Sequence, residues 1–130
     1  MKANKILVVE DDSILQKAIQ EYLISDGFVV FTASDGEEGL HLAQSKKPDL
    51  ILLDIILPKK NGFEVIKEVK ANPETNKIPV VLLTNLGSLN DIEKALALGA
   101  STYLVKSDYG LEEVSKKIKE TLAKKQEAVK

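Results

Sequence analysis

A chain of 130 residues, 44% hydrophobic and 29% charged, has the size and balance of one folded domain, which excludes a disordered segment. Its 18 basic and 20 acidic side chains leave a net charge of −2, so the basic excess of a non-specific nucleic-acid binder is missing. The absence of cysteine excludes disulfides and thiolate metal sites. The first apolar run, Ile6 to Val9, is too short for a signal-peptide core or a membrane span, so no membrane association and a cytoplasmic location are expected.

Ile6–Val9 reads as a first strand and is followed by Glu10-Asp11-Asp12. Asp12 before Ser13 has the form of a helix N-cap. Ile14, Leu15, Ala18, Ile19, Tyr22 and Leu23 then make one apolar stripe at helical spacing. Gly27 stands where that helix should stop. Phe28–Ala33 reads as a second strand, and Ser34 with Glu37 has the capping-box pattern before a helix carrying Leu40 and Ala43. Leu50–Leu53 is a third strand and runs directly into Asp54. Val65, Ile66 and Val69 mark a third helix, Ile78–Leu83 a fourth strand ending at Thr84, and Ile92, Leu96 and Ala97 a fourth helix closed by Gly99. Thr102–Val105 is a fifth strand ending at Lys106, and Leu111, Val114, Ile118 and Leu122 mark a fifth helix. Pro48, Pro58, Pro73 and Pro79 fall in connections or at a strand start. No repeat or linker interrupts the series, so one domain over 1–125 is expected, with 126–130 as a frayed tail.

Five short apolar strands alternating with five helices imply βαβ units, a parallel sheet and three αβα layers with right-handed crossovers. Two strand orders compete, a Rossmann-like half and the doubly wound, flavodoxin-like order 2-1-3-4-5. In an open parallel sheet, ligands bind beyond the carboxyl ends of the strands where the order reverses. In the 2-1-3-4-5 order the first and third strands flank that point. Glu10, Asp11 and Asp54 then meet there, with Thr84 and Lys106 arriving from the other side.

Each residue taken alone has a plainer reading. Asp11 or Asp12 serves as a cap, Thr84 as a strand-end hydroxyl, and Lys106 as a solvated surface charge. Asp54 resists that treatment. A carboxylate directly after Leu50-Ile51-Leu52-Leu53, in mid-sheet, is costly to bury unless compensated. Three converging carboxylates repel, and a hard divalent cation with oxygen ligands removes the repulsion. Mg²⁺, with Mn²⁺ as its substitute, suits two carboxylates, a backbone carbonyl, waters and a phosphate oxygen. Acidic residues after the first strand also oppose a flavin or dinucleotide loop, which needs glycines and N–H donors.

These residues resemble the receiver domain of two-component response regulators over essentially the whole chain. The matching text is Ile6-Leu7-Val8-Val9-Glu10-Asp11-Asp12, Asp54-Ile55-Ile56-Leu57-Pro58 with Asn61-Gly62, Val80-Val81-Leu82-Leu83-Thr84, and Gly99-Ala100 through Tyr103-Leu104-Val105-Lys106. The resemblance implies that Asp54 accepts a phosphoryl group. It implies that Asp11 ligates the cation directly, Glu10 through water, and the Ile56 carbonyl from the backbone. Thr84 would hydrogen-bond one phosphoryl oxygen, Lys106 would neutralise another, and Tyr103 would turn in response to Thr84. The implied partners are a sensor histidine kinase or phosphotransfer protein, and an effector or second copy docking on the fourth helix, fifth strand and fifth helix. Leu86, Leu89 and Leu98 are candidate contacts there, Leu98 being equally a core candidate. Two positions depart from the family pattern: Ser107 stands where proline usually follows the lysine, often through a cis bond, and Asn85 stands where a small residue usually follows the threonine.

The expected function is therefore a phosphorylation-dependent switch, not an enzyme beyond its own phosphoryl transfer and slow autodephosphorylation. The alternative is a phosphorylation-independent interaction module of the same fold, which would be expected to lose the acceptor, the acidic pair or the lysine. A hydrolase on the same sheet lacks support: there is no nucleophile elbow, and the single histidine, His41, falls on a helix away from the strand ends. No DNA-binding domain is expected after the fifth helix, leaving either a stand-alone receiver or an excised domain. The resemblance implies that Ile56 and Leu86, two positions beyond the acceptor and the threonine, flank the path of a hydrolytic water, and as apolar side chains they are expected to lengthen the phosphorylated state.

Overall fold

A computed structural model of the chain describes residues 3–84, 89–105 and 110–129, with side chains as far as 124. Five strands, β1 (Lys5–Val9), β2 (Val29–Ala33), β3 (Leu50–Leu53), β4 (Val80–Thr84) and β5 (Thr102–Val105), alternate with five helices, α1 (Ser13–Ser25), α2 (Gly36–Lys46), α3 (Gly62–Ala71), α4 (Leu89–Leu98) and α5 (Leu111–Val129). The strands form one parallel sheet in the order β2-β1-β3-β4-β5. Of the two competing orders, this is the flavodoxin-like one that the acidic strand ends favour, with its switch point between β1 and β3. Helical backbone continues to Val129, into the stretch expected to fray.

Period-two alternation divides the sheet's apolar side chains between two cores. Leu7, Val9, Ile51, Leu53 and Leu82 face α2, α3 and α4, where Leu40, Val65, Ile66 and Ala95 meet them. Ile6, Val8, Leu50, Leu52, Val81, Leu83 and Leu104 face Ile19 and Leu23 of α1 and Val114, Ile118 and Leu122 of α5. Only β1, β3 and β4 are buried on both faces; β2 and β5 are edges and remain partly open.

Three local expectations are corrected. The cap of α2 is Asp35, whose side chain accepts from the Glu38 amide at 2.8 Å, and not Ser34 with Glu37. Ser34 instead donates its amide to the Glu38 carboxylate, so the cap pattern sits one residue later. Ile14, assigned to the inward stripe of α1, is 82% exposed, because the stripe rotates away at the first turn. On α4 the inward residues are Ile92 and Ala95, with Leu98 packed against the core, while Leu96 faces outward. Leu98 is thus the core residue of its two readings. The Asp12 cap stands: its side chain accepts from the amides of Ile14 and Leu15. Gly27 and Gly99 follow α1 and α4 with φ of +99° and +121°, a region glycine enters without Cβ strain.

At the C-terminal end of α1, Asp26 accepts a hydrogen bond from the Ser115 hydroxyl and pairs with Lys119 at 2.8 Å, clasping α5 to α1. The bond from Lys119, then that from Ser115, holds the Asp26 carboxyl below its ordinary 3.8. A depressed folded value means that the clasp stabilises above the unfolded value and is lost as pH falls through the folded one. The melting-temperature gap between the parent and Asp26→Asn should therefore be open near about pH 6 and close on acidification below about pH 4. A gap independent of pH would show that Asp26 acts only as a helix cap.

Candidate phosphoacceptor and metal site

The ladder places the acidic residues. Val9 of β1 pairs with Leu53 of β3, so the residues after them, Glu10 and Asp54, leave the sheet side by side. The Asp54 amide donates to the Val9 carbonyl at 3.0 Å, which extends the pairing one step past the strand end. Glu10 is likewise tied to β2, its amide donating to the Ala33 carbonyl at 3.0 Å. Glu10, Asp11 and Asp54 thereby each bring a carboxylate oxygen within 4.8 Å of the other two. Glu10 and Asp54 are buried, with 1% and 6% of their surface exposed, while Asp11 is open. That burial separates the group from an ordinary solvated acidic patch, where carboxylates stay apart in water.

The surrounding backbone fixes the orientation of these acids. Glu10 accepts from the Asp12 amide at 3.0 Å, and Asp54 accepts from the Ile56 amide at 3.3 Å. The loop after Asp54 folds back on itself: Gly62 donates its amide to the Ile55 carbonyl at 2.7 Å, and Gly36 donates to the Pro58 carbonyl at 3.2 Å. A capping box starts α3, with Asn61 accepting from the Glu64 amide and Glu64 from the Asn61 amide. An all-oxygen donor set of three carboxylates fits a hard divalent cation in charge and ligand type. The crevice opens on the side of Asp11, the one exposed acid of the three.

Thr84 ends β4 and is 6% exposed. Its strand partner is Val105, and Leu82 pairs with Tyr103, so Thr84 and Tyr103 stand on the same face of the sheet, that of α4. Tyr103, on the edge strand, is 40% exposed. Ile56, two residues past Asp54, projects into solvent at 72% exposure. Lys106, Leu86, Asn85 and Ser107 lie outside the described residues. His41 is on the exposed side of α2, away from the acids. The structure thus brings together Glu10, Asp11 and Asp54 and puts Thr84 on the neighbouring strand end. One contributor escaped the sequence reading, Gln16, whose amide bonds the ends of β1 and β2. Its only signal was a polar residue at the edge of the apolar stripe of α1.

The response regulator receiver domain model matches residues 6–119. The chain belongs to the response-regulator receiver family. Among curated relatives, it is 45% identical over 119 residues to the transcriptional regulatory protein CiaR of Streptococcus pneumoniae, covering 91% of this chain and 51% of that protein. The chain spans about half the length of the curated relatives it matches. A CheY-like response regulator receiver domain protein from Methanospirillum hungatei superposes with a TM-score of 0.89 at 27% identity, covering 98% of this chain and 99% of that one. The receiver domain of a sensor histidine kinase from Pseudomonas aeruginosa, solved with a magnesium ion in its active-site cleft, gives 0.85 at 28% identity, covering 94% and 99%. This receiver has the CheY-like architecture, and receivers of response regulators are signalling switches, not classical enzymes. Among the described residues, no helix is long and apolar enough to cross a membrane.

Proposed function

We propose that this receiver accepts a phosphoryl group from a phosphohistidine on Asp54, in a reaction that needs Mg²⁺, and signals through α4, β5 and α5. The observation that carries this reading is the burial of Asp54 within 4.8 Å of two further carboxylates at the switch point of the sheet. A buried acid in that company is costly, and a divalent cation held by oxygen ligands lowers that cost.

Asp11 would hold the cation directly, Glu10 through water, and the Ile56 carbonyl from the backbone. When bound, Mg²⁺ supplies positive charge to the transferring phosphoryl oxygens. An Asp54 carboxylate oxygen attacks phosphorus in line, forming a P–O bond as the P–N bond to the donor imidazole breaks. The imidazole leaves with the bonding electron pair and takes up a proton. The Thr84 hydroxyl donates to one phosphoryl oxygen, and Lys106 neutralises another. Thr84 moving toward the phosphate frees space on the α4 face, into which the half-exposed Tyr103 ring rotates. Leu89 and Leu96, 66% and 38% exposed, supply apolar contact on that face for an effector or a second copy. The phosphoryl donor is a sensor histidine kinase or a phosphotransfer protein.

With acetyl phosphate and Mg²⁺ the parent should gain one phosphoryl group by intact mass; chelator, or Asp54→Asn, should abolish it. Full labelling in Asp54→Asn would move the acceptor elsewhere. No labelling of the parent under any condition would return the chain to a phosphorylation-independent module.

The lifetime of phospho-Asp54 should depend on Ile56 and Leu86. Neither side chain hydrogen-bonds a water, and Ile56 stands exposed two residues past the acceptor. Ile56→Asn, Leu86→Glu and the double variant should dephosphorylate faster in Mg²⁺, by up to roughly 1–3 kcal/mol of barrier, the worth of a positioned polar contact. Equal or slower decay in all three folded variants would remove these side chains from the timing.

A further inference from the structure

We infer that Gln16 is a positioning residue for the acidic cluster, fixing the turn that carries Glu10 and Asp11 and so setting cation affinity. The inference rests on the reading of that cluster as a cation site. Gln16 lies in the first turns of α1, half-buried, on the side of the helix that meets the sheet. Its side-chain nitrogen donates to the Glu10 carbonyl at 2.8 Å and the Ala33 carbonyl at 2.9 Å, with the Ser34 hydroxyl at 3.3 Å. Two N–H donors meet two carbonyls, and the hydroxyl takes the longer contact. Both carbonyls are acceptors only, so the amide must present its nitrogen; the flipped amide would set oxygen against oxygen.

The consequence runs through Glu10. Its amide donates to the Ala33 carbonyl at the end of β2, and its carboxylate accepts from the Asp12 amide within the turn. Gln16 grips that turn by its carbonyl and anchors it to the end of β2. One side chain thus joins β1, β2 and α1 at the point where the acids leave the sheet. Asp11 follows Glu10 directly and inherits the same placement. Groups that hold a ligand in place influence metal affinity without touching the metal, commonly by tenfold or more. Losing the amide leaves the three carboxylates in place but the turn free to shift.

The test is calorimetric titration of Mg²⁺ into the parent, Gln16→Met, Glu10→Gln, the double variant and Asp11→Ala, with melting in chelator as the measure of folding. Gln16→Met keeps the length and removes both donors. It should weaken Mg²⁺ by about three- to thirtyfold, and by a smaller factor in the Glu10→Gln background, because part of the effect runs through the Glu10 carboxylate and the rest through Asp11. Gln16→Asn, one methylene shorter, retracts the amide from both carbonyls and should give the same loss if the methionine variant does not fold. Unchanged affinity in the folded Gln16 variants, with Asp11→Ala losing binding, would overturn the inference. If Asp11→Ala binds Mg²⁺ like the parent, the cation reading itself fails; if Asp11→Ala loses binding and Gln16→Met does not, only the role of Gln16 fails.

Discussion

Gly36→Ala should destabilise this receiver by about 3 kcal/mol, lowering its melting temperature by roughly 10 °C. Gly36 opens α2, where alanine would ordinarily gain up to about 1 kcal/mol in helix propensity over glycine. Here a Cβ would lie 1.9 Å from the Lys60 carbonyl oxygen and 2.6 Å from its carbon. Those are backbone atoms, so no rotamer change relieves the overlap, and the loop between β3 and α3 must move. The same loop would be displaced from the other side by Gly62→Ala, whose Cβ would meet the Ile55 Cα at 2.6 Å and the Asp54 carbonyl oxygen at 2.7 Å. Gly110→Ala is the control, because its nearest obstacle is the end of the flexible Glu113 side chain at 3.3 Å. Thermal melts of the three variants decide the matter. A Gly36→Ala protein as stable as Gly110→Ala would show that the α2 start is not packed on the loop after Asp54 as described.

In chelator, Asp54→Asn should melt above the parent, by roughly 1–2 kcal/mol in stability, and should lose most of any stabilisation by Mg²⁺. The amide keeps an oxygen to accept from the Ile56 amide at 3.3 Å and removes one of three charges packed within 4.8 Å. Like charges sharing a site destabilise the ionised cluster, and two of these groups are buried, where water screens them least. In the parent, Mg²⁺ at about 100 times its dissociation constant should add about 2.7 kcal/mol, by mass action on the folded state alone. The variant, with a weaker site, should gain far less. A variant that melts below the parent in chelator would sink the repulsion argument, and an undiminished shift with Mg²⁺ would sink the ligand assignment.

The sequence by itself determined the alternation of strand and helix, since a period of two or of 3.6 in apolar residues is a local property. It also determined which residues stand at the carboxyl ends of the strands, among them Glu10, Asp11, Asp54 and Thr84. Elements in the right order at the right lengths left only two strand orders, and the acidic first turn favoured one of them. Local pattern stops there. Whether Ile14 turns inward depends on where α1 ends its contact with the sheet, and its 82% exposure follows from packing that its own neighbours in sequence do not specify. The partial exposure of β2 and β5 follows from their being edges, a property of neighbours and not of composition. The meeting of Asp54 and Glu10 across 44 positions of chain was expected from the strand order, but only the tertiary structure gives their separation and burial, sets Gly36 against Lys60, and gives the Gln16 amide its carbonyls at the ends of two strands. Such contacts are made by side chains and backbone groups far apart in sequence. Their geometry exists only once the sheet has assembled and the loops have closed over its edge.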